Sequence, residues 1–376
     1  MQRTKISIIV LSALAVAWTA RAAEPTSAPK PAQKAPAAAD HSKLMVYWKE
    51  SGKEHPVASP ADWEIRRRQV LKGIEEAMGP LPDRSKLPPL DMRSLDEKQG
   101  EGFRRLKIDF VSEGTDRVPA YLFLPVDLKP SERRPGIMAL HQTVTQGKEE
   151  PAGIKGSDNL DYGSELAGRG YVVLVPDYPS FGEYQYDFNA DSYVSGSMKG
   201  IFNHMRAVDL LQSRTEVDPE RIGVIGHSLG GHNAMFVGAF DPRIKVIVSS
   251  CGWTPFHDYY GGKIAGWTSD RYMPSLRDVY QLNPDRVPFD FYEIVAAFAP
   301  RAFFSNSPLG DTNFDYHGIQ KAEPKAREIY KLLGAEDKLK VVYPDAPHDF
   351  PPAVRKEAYE FIDKTLAYKP RSESVR

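Results

Sequence analysis

The chain of 376 residues is 41% hydrophobic, 26% charged and 11% aromatic, a globular composition that excludes a disordered, collagenous or repeat chain. Its 49 Lys and Arg against 50 Asp and Glu leave a formal charge of -1, which excludes the positive field that draws proteins onto nucleic acid or anionic membranes. The single cysteine, Cys251, can form neither an intramolecular disulfide nor a Cys-rich zinc site, so covalent chemistry must come mostly from other residues.

In chain order, Arg3 and Lys5, the apolar stretch Ile6 to Trp18 and Ala20-Arg21-Ala22 have the three parts of a secretory signal. The apolar stretch is too short to span a bilayer. We therefore expect a signal peptide over residues 1–22, and a periplasmic or secreted mature protein with no membrane attachment. Residues 23–42 read as a linker, because Ala23 to Asp40 holds seven Ala and four Pro and cannot pack a core. An N-terminal helical extension is expected over residues 43–100. Within it Trp63, Ile65, Val70, Leu71, Ile74 and Met78 recur at helical spacing and stop at Gly79-Pro80.

A catalytic domain is expected over residues 101–370. Eight apolar runs predict strands at Leu106–Val111, Val118–Leu124, Gly136–Leu140, Tyr171–Val175, Ile222–Ile225, Ile244–Ser249, Ala302–Ser305 and Leu339–Tyr343. Helical stretches at Leu160–Gly168, Gly200–Ser213, Ser228–Phe240, Pro324–Leu333 and Val354–Leu366 separate the later ones. Alternation of this kind requires parallel strands joined by crossover helices. The fold class is α/β, with a mostly parallel eight-stranded sheet that starts as an antiparallel hairpin and carries its site at the carboxyl ends of the strands.

Ile222 to Ile225 runs into Gly226-His227-Ser228-Leu229-Gly230 and then into a helix-forming segment. This is G-x-S-x-G in its strand, turn and helix context, where a strained turn exposes the serine and side chains at the glycines would block the close approach of strand and helix. Ser228 is thus the candidate nucleophile, and a hydroxyl needs a base and an orienting carboxylate to act as one.

Here the chain resembles the α/β-hydrolase superfamily, whose triad runs Ser, Asp or Glu, His. The resemblance implies an acid after Ala302–Ser305, where Asp311 is the nearer match and Asp315 its rival, and a histidine after the last strand, which is His348. The backbone N–H of Leu229 supplies one oxyanion donor, and the loop after Gly136–Leu140 implies Gln142 as the second, with Thr143 next and His141 lining the pocket. No H-E-x-x-H or other paired ligand spacing links the histidines, so no metal and no other cofactor is expected. Residues 140–143, 165–171, 176–182 and 347–351 resemble exported bacterial hydrolases of the dienelactone hydrolase and acetyl xylan esterase branch. A dienelactone hydrolase carries cysteine at the elbow, where this chain has Ser228; Cys251 reads as a packed thiol near the site.

Ten of the 42 residues from Cys251 to Tyr292 are aromatic, and Tyr178, Phe181, Tyr184, Tyr186, Phe188 and Tyr193 form a second cluster. Either these residues pack a lid or they wall a pocket suited to sugar rings or phenolic acids, with Trp253 and Trp267 as the substrate-contacting candidates. The expected function is an exported serine carboxylic-ester hydrolase acting through Ser228, Asp311 and His348 on a small-molecule or carbohydrate ester, with acetyl esters the first guess. The alternatives are a serine peptidase of the prolyl oligopeptidase type and a catalytically silent binding protein on the same fold.

Overall fold

Apolar strands buried on both faces build the central sheet of the computed structural model, which describes residues 40–49 and 51–371. The expected signal peptide and nearly all of the linker lie outside the described residues. The described residues all fall within one compact unit, so the extension is not a separate body.

The extension is not purely helical. A short hairpin, β1 (Val46–Trp48) and β2 (Glu54–Pro56), precedes helix α1 (Pro60–Met78). Ser59 caps α1 by accepting the Asp62 N–H, Pro60 occupies its first turn, and Gly79 at φ 93° ends it. Strand β3 (Arg93–Gln99) follows, exposed along its whole length. Its sequence RSLDEKQ has no apolar face, which is why pattern reading passes over it: a charged edge strand has no second neighbour to bury it.

The main sheet then continues with β4 (Phe103–Glu113), β5 (Asp116–Pro125), β6 (Arg134–Leu140), β7 (Val172–Pro176), β8 (Val217–His227), β9 (Ile244–Ser250), β10 (Ala302–Asn306) and β11 (Leu339–Val342). It has nine strands rather than eight, in the order β11-β10-β9-β8-β6-β7-β5-β4-β3. From β11 to β7 all neighbours are parallel, whereas β7-β5-β4-β3 are antiparallel.

Between the strands lie helices α2 (Tyr162–Gly168), α3 (Gly196–Ser213), α4 (Leu229–Phe240), α5 (Ser275–Asp278), α6 (Phe291–Ala297), α7 (Tyr316–Leu332) and α8 (Pro352–Thr365). Met138, Leu140, Val172, Leu174, Ile222 and Val224 face one core with α1, α3, α4, α6 and α7. Ile137, Ala139, Val173, Val175 and Ile225 face a second core with α2 and α8. Both faces are covered, so these strands read as continuous apolar runs. Helix α7 starts eight residues before the expected Pro324, because Asp315 caps it and the proline is carried inside the helix. Among the described residues no helix is long and apolar enough to cross a membrane.

A buried polar network ties the extension to the segment between β9 and β10. Glu293 of α6 receives Arg66 of α1 in an ion pair, stands 2.9 Å from His41 Nδ1, and closes a capping box with Asp290. Burial is the largest single influence on His41 and lowers its pKa, but the charge and hydrogen bond of Glu293, the Asp290 charge and the bond to Val287 O together outweigh it, and the imidazole is pushed up to about 9. The charged imidazole is therefore favoured in the folded state, so its stabilisation is complete below its ordinary pKa near 6.5 and is lost as pH rises through 9. Burial pushes the Asp290 carboxyl up to about 7. This destabilises the fold between about pH 4 and 7, with the same sign. The unfolding free energy from denaturant titrations should fall between pH 6.5 and 9, by an amount on the order of 3 kcal/mol at most, and His41→Gln should flatten that window; a parent profile already flat there is the contrary result.

Candidate active site

The turn between β8 and α4 holds Ser228 at φ 53° and ψ -115°, a conformation that non-glycine residues rarely adopt. Its N–H donates to Ser250 O at 2.8 Å, locking the turn onto β9. Space explains the glycines: a Cβ on Gly226 would lie 2.2 Å from Gly230 O, and one on Gly230 would lie 2.0 Å from Leu140 O. The strain is thus imposed by β6, β8 and α4 packed at backbone contact.

His348 Nδ1 and Asp311 Oδ2 are 2.9 Å apart. The Asp311 side chain is 1% exposed and that of His348 26%, so the carboxylate is enclosed while the imidazole keeps an open edge. Asp311 Oδ1 accepts the N–H groups of Asn313 and Phe314 at 2.8 and 3.1 Å, which fixes the carboxylate plane. Asp315 points elsewhere, capping α7 through the His317 N–H at 2.9 Å with its side chain 46% exposed. Of the two candidate acids, Asp311 is the one brought to His348. Phe314 stacks on the His348 ring at 6.0 Å and the His227 ring lies 4.8 Å from it, so the imidazole packs against two rings, one of them belonging to the elbow. Burial holds the His227 pKa well below its ordinary value, and this neighbour is a neutral ring.

Loops beyond β6 and β7 complete the arrangement. His141 Nε2 accepts the Tyr178 N–H at 2.9 Å while Nδ1 meets Gln142 O at 2.6 Å, a pairing that requires the neutral ring with its proton on Nδ1. Burial lowers the His141 pKa in keeping with this. Gln142 Nε2 donates to Glu150 Oε1 at 3.1 Å. The buried Lys148 ammonium lies 2.7 Å from Asp177 Oδ2, and Asp177 also accepts the N–H groups of Lys148 and Glu183. Gly147 and Gly182, both at positive φ, press their Cα faces against that carboxylate, where a Cβ would come within 2.2 Å of it. Asp177 thereby clamps together the two loops that follow β6 and β7. Sequence reading missed it because an isolated Asp and an isolated Lys carry no spacing signal.

Three expectations for the pocket wall need correction. Trp253 is 1% exposed, donates its indole N–H to Ser305 Oγ at 2.9 Å and packs on Phe291 and Phe303; it is core, with no face for a substrate. Trp267, 3% exposed, packs among His232, Phe256, Tyr259 and Phe314, one ring removed from His348. His141 is buried and positions Tyr178 rather than lining a surface. The aromatic excess mainly fills a lid between β9 and β10, because rings at 5 to 7 Å spacing satisfy one another. Tyr272 keeps partial exposure, its hydroxyl 3.0 Å from Thr143 Oγ1, and so bridges the lid to the loop after β6.

Cys251 is buried at φ 49° with its Sγ 3.3 Å from Asp349 O. Burial and the Asp311 charge push its pKa well up, so it stays a thiol and not a nucleophile. Its sulfur, an Asp311 oxygen and a His348 nitrogen lie within 4.8 Å of one another. The geometry, with an elbow serine and a carboxylate-oriented imidazole with an open edge, is of the kind that carries out acyl transfer.

Known proteins agree with this chemistry. The family described as "Glucuronyl esterase, fungi" matches residues 186–334. YtaP of Bacillus subtilis (strain 168), assigned as a hydrolase by name only, is 30% identical over 319 residues, covering 80% of this chain and 99% of YtaP. Carbohydrate esterase MZ0003, from an unknown prokaryotic organism, is 26% identical over 337 residues, covering 74% of this chain and 76% of the esterase. Among solved structures, the glucuronoyl esterase from Solibacter usitatus superposes with a TM-score of 0.67 at 18% identity over 89% of this chain and 98% of that one, a likeness of fold. The chain therefore belongs to the family of YtaP within the α/β-hydrolases, as a carboxylic-ester hydrolase similar to the glucuronoyl esterases.

Proposed function

We propose that this enzyme is an exported serine esterase that cleaves esters of uronic acid carboxyl groups in polysaccharides through an acyl-enzyme on Ser228. The observation that carries the substrate class is that the glucuronyl esterase match spans residues 186–334, the stretch holding the elbow, the lid and Asp311. Relatives named 4-O-methyl-glucuronoyl methylesterase, from Wolfiporia cocos among others, support the same reading.

In this mechanism Asp311 holds the His348 Nδ1–H, leaving Nε2 to take the Ser228 proton as Oγ attacks the ester carbonyl. The N–H groups of Leu229 and Gln142 face the developing oxyanion. His348 then returns the proton to the departing alcohol, and water, activated by the same imidazole, releases the uronate. Export rests on the charged start, apolar stretch and Ala20-Arg21-Ala22 site.

A second reading, sugar acetate hydrolysis, is favoured by the structural likeness to an acetyl xylan esterase-like protein of Bacteroides fragilis, with a TM-score of 0.59. The two differ in which partner supplies the acyl carbon. Purified mature protein should hydrolyse benzyl or methyl glucuronate with a kcat/KM well above that for acetylated xylo-oligosaccharides. The reverse order would assign it to acetyl esters.

A further inference from the structure

Arg271 stands on the lid beside the loops that frame Ser228. Its guanidinium carbon lies 4.5 Å from the centroid of the Phe181 ring, and Phe181 packs with Tyr178, Leu229 and Tyr272. Leu229 directly follows the elbow serine, and the Tyr272 hydroxyl reaches Thr143 in the loop that carries Gln142. The backbone beneath Arg271 is rigidly seated: its carbonyl accepts the Tyr178 hydroxyl at 2.6 Å, and the N–H groups of Gly196 and Ser197 donate to Asp270 O and Tyr272 O at 3.0 and 3.1 Å. A Cβ on Gly196 would lie 2.5 Å from Arg271 O, so this stretch of lid sits directly on the first turn of α3.

The side chain above that seat is exposed. Among the described residues no ion pair or side-chain hydrogen bond is recorded for its guanidinium, whereas nearby cations are engaged, Arg277 with Asp278 and Lys321 with Asp258 at 2.6 Å each. A ring face attracts the cation but accepts none of its five N–H donors in the plane. The chain as a whole is not basic.

We propose that Arg271 forms an anion subsite that receives the free carboxylate of a uronic acid residue adjoining the esterified one. This rests on the uronoyl-ester reading above. The esterified carboxyl is uncharged until it is cleaved, so the charge available for recognition lies on a neighbouring sugar, and the guanidinium fork matches a carboxylate with two parallel hydrogen bonds. Phe181 beneath the fork restricts its rotamers, lowering the entropy lost on binding.

The test uses two oligouronates bearing one methyl ester, one with a free carboxylate on the adjoining residue and one with that carboxylate reduced to the alcohol. Each is assayed with the mature parent, Arg271→Gln and Arg271→Lys at low and high salt. The parent should prefer the acidic substrate about tenfold in kcat/KM, through KM, as one charge-assisted hydrogen bond would give. The preference should shrink at high salt, vanish in Arg271→Gln, and persist in part in Arg271→Lys, which keeps the charge and loses the fork. A parent that hydrolyses both esters equally, or an Arg271→Gln variant that keeps the preference, overturns the subsite and leaves the uronoyl-ester reading standing. Failure to hydrolyse either ester overturns that reading and the subsite with it.

Discussion

Ser228→Ala should lower kcat by a factor on the order of 10⁶ while leaving the fold and the thermal transition intact, and a fluorophosphonate probe should label the parent at Ser228 alone. The magnitude follows from the non-additive behaviour of triads, in which loss of the nucleophile costs nearly as much as loss of the whole set. The rate left over water, roughly 10³ to 10⁴, is what oxyanion donors and binding alone supply. The fold should tolerate the change, because the turn is imposed from outside by Gly226 and Gly230 at backbone contact and the side chain adds no packing that alanine lacks. Mass spectrometry of the labelled protein separates this from any thiol chemistry: adduct at Cys251, or turnover retained in Ser228→Ala, would sink the assignment.

Asp311→Asn should reduce kcat by about 10⁴ with KM little changed, and Asp315→Asn should cost less than about threefold. Asp311 is enclosed, bonded to His348 Nδ1 and fixed by two backbone N–H groups. An amide there presents either a donor toward the imidazole or a neutral oxygen. The first flips the tautomer and the second no longer stabilises the imidazolium. Asp315, in contrast, caps α7 at an exposed position, so its amide variant keeps the capping oxygen and loses only a fraction of helix stability. Steady-state kinetics on both variants with one aryl ester decides the matter, and a larger loss at Asp315 than at Asp311 would transfer the role.

Much of this site lies close to the sequence because its geometry is local. The elbow needs only Gly226, Ser228 and Gly230 between a strand and a helix, and the strands β6 to β10 announce themselves because they are buried on both faces. Other parts were not legible. Strand β3 is written in charged residues, and its pairing with β4 comes from backbone hydrogen bonds that leave no mark on side-chain pattern. The aromatic clusters that hold Trp253 and Trp267 fit a packed lid and a pocket wall equally, because composition cannot distinguish a ring that faces a substrate from one that faces another ring.

What the sequence by itself determined is the α/β alternation and the elbow serine, since each is written in patterns local to the chain, whereas His348 was pointed to by the family resemblance. Tertiary structure alone decided between Asp311 and Asp315, which sit four residues apart in one loop and differ only in whether the chain turns the carboxylate inward to His348 or outward to α7. It alone also brought Lys148 to Asp177 and set Arg271 over Phe181. These contacts join loops separated by 29 and 90 residues, and their partners are chosen by how the strands order in the sheet and how the lid seats on α3, neither of which any local pattern encodes.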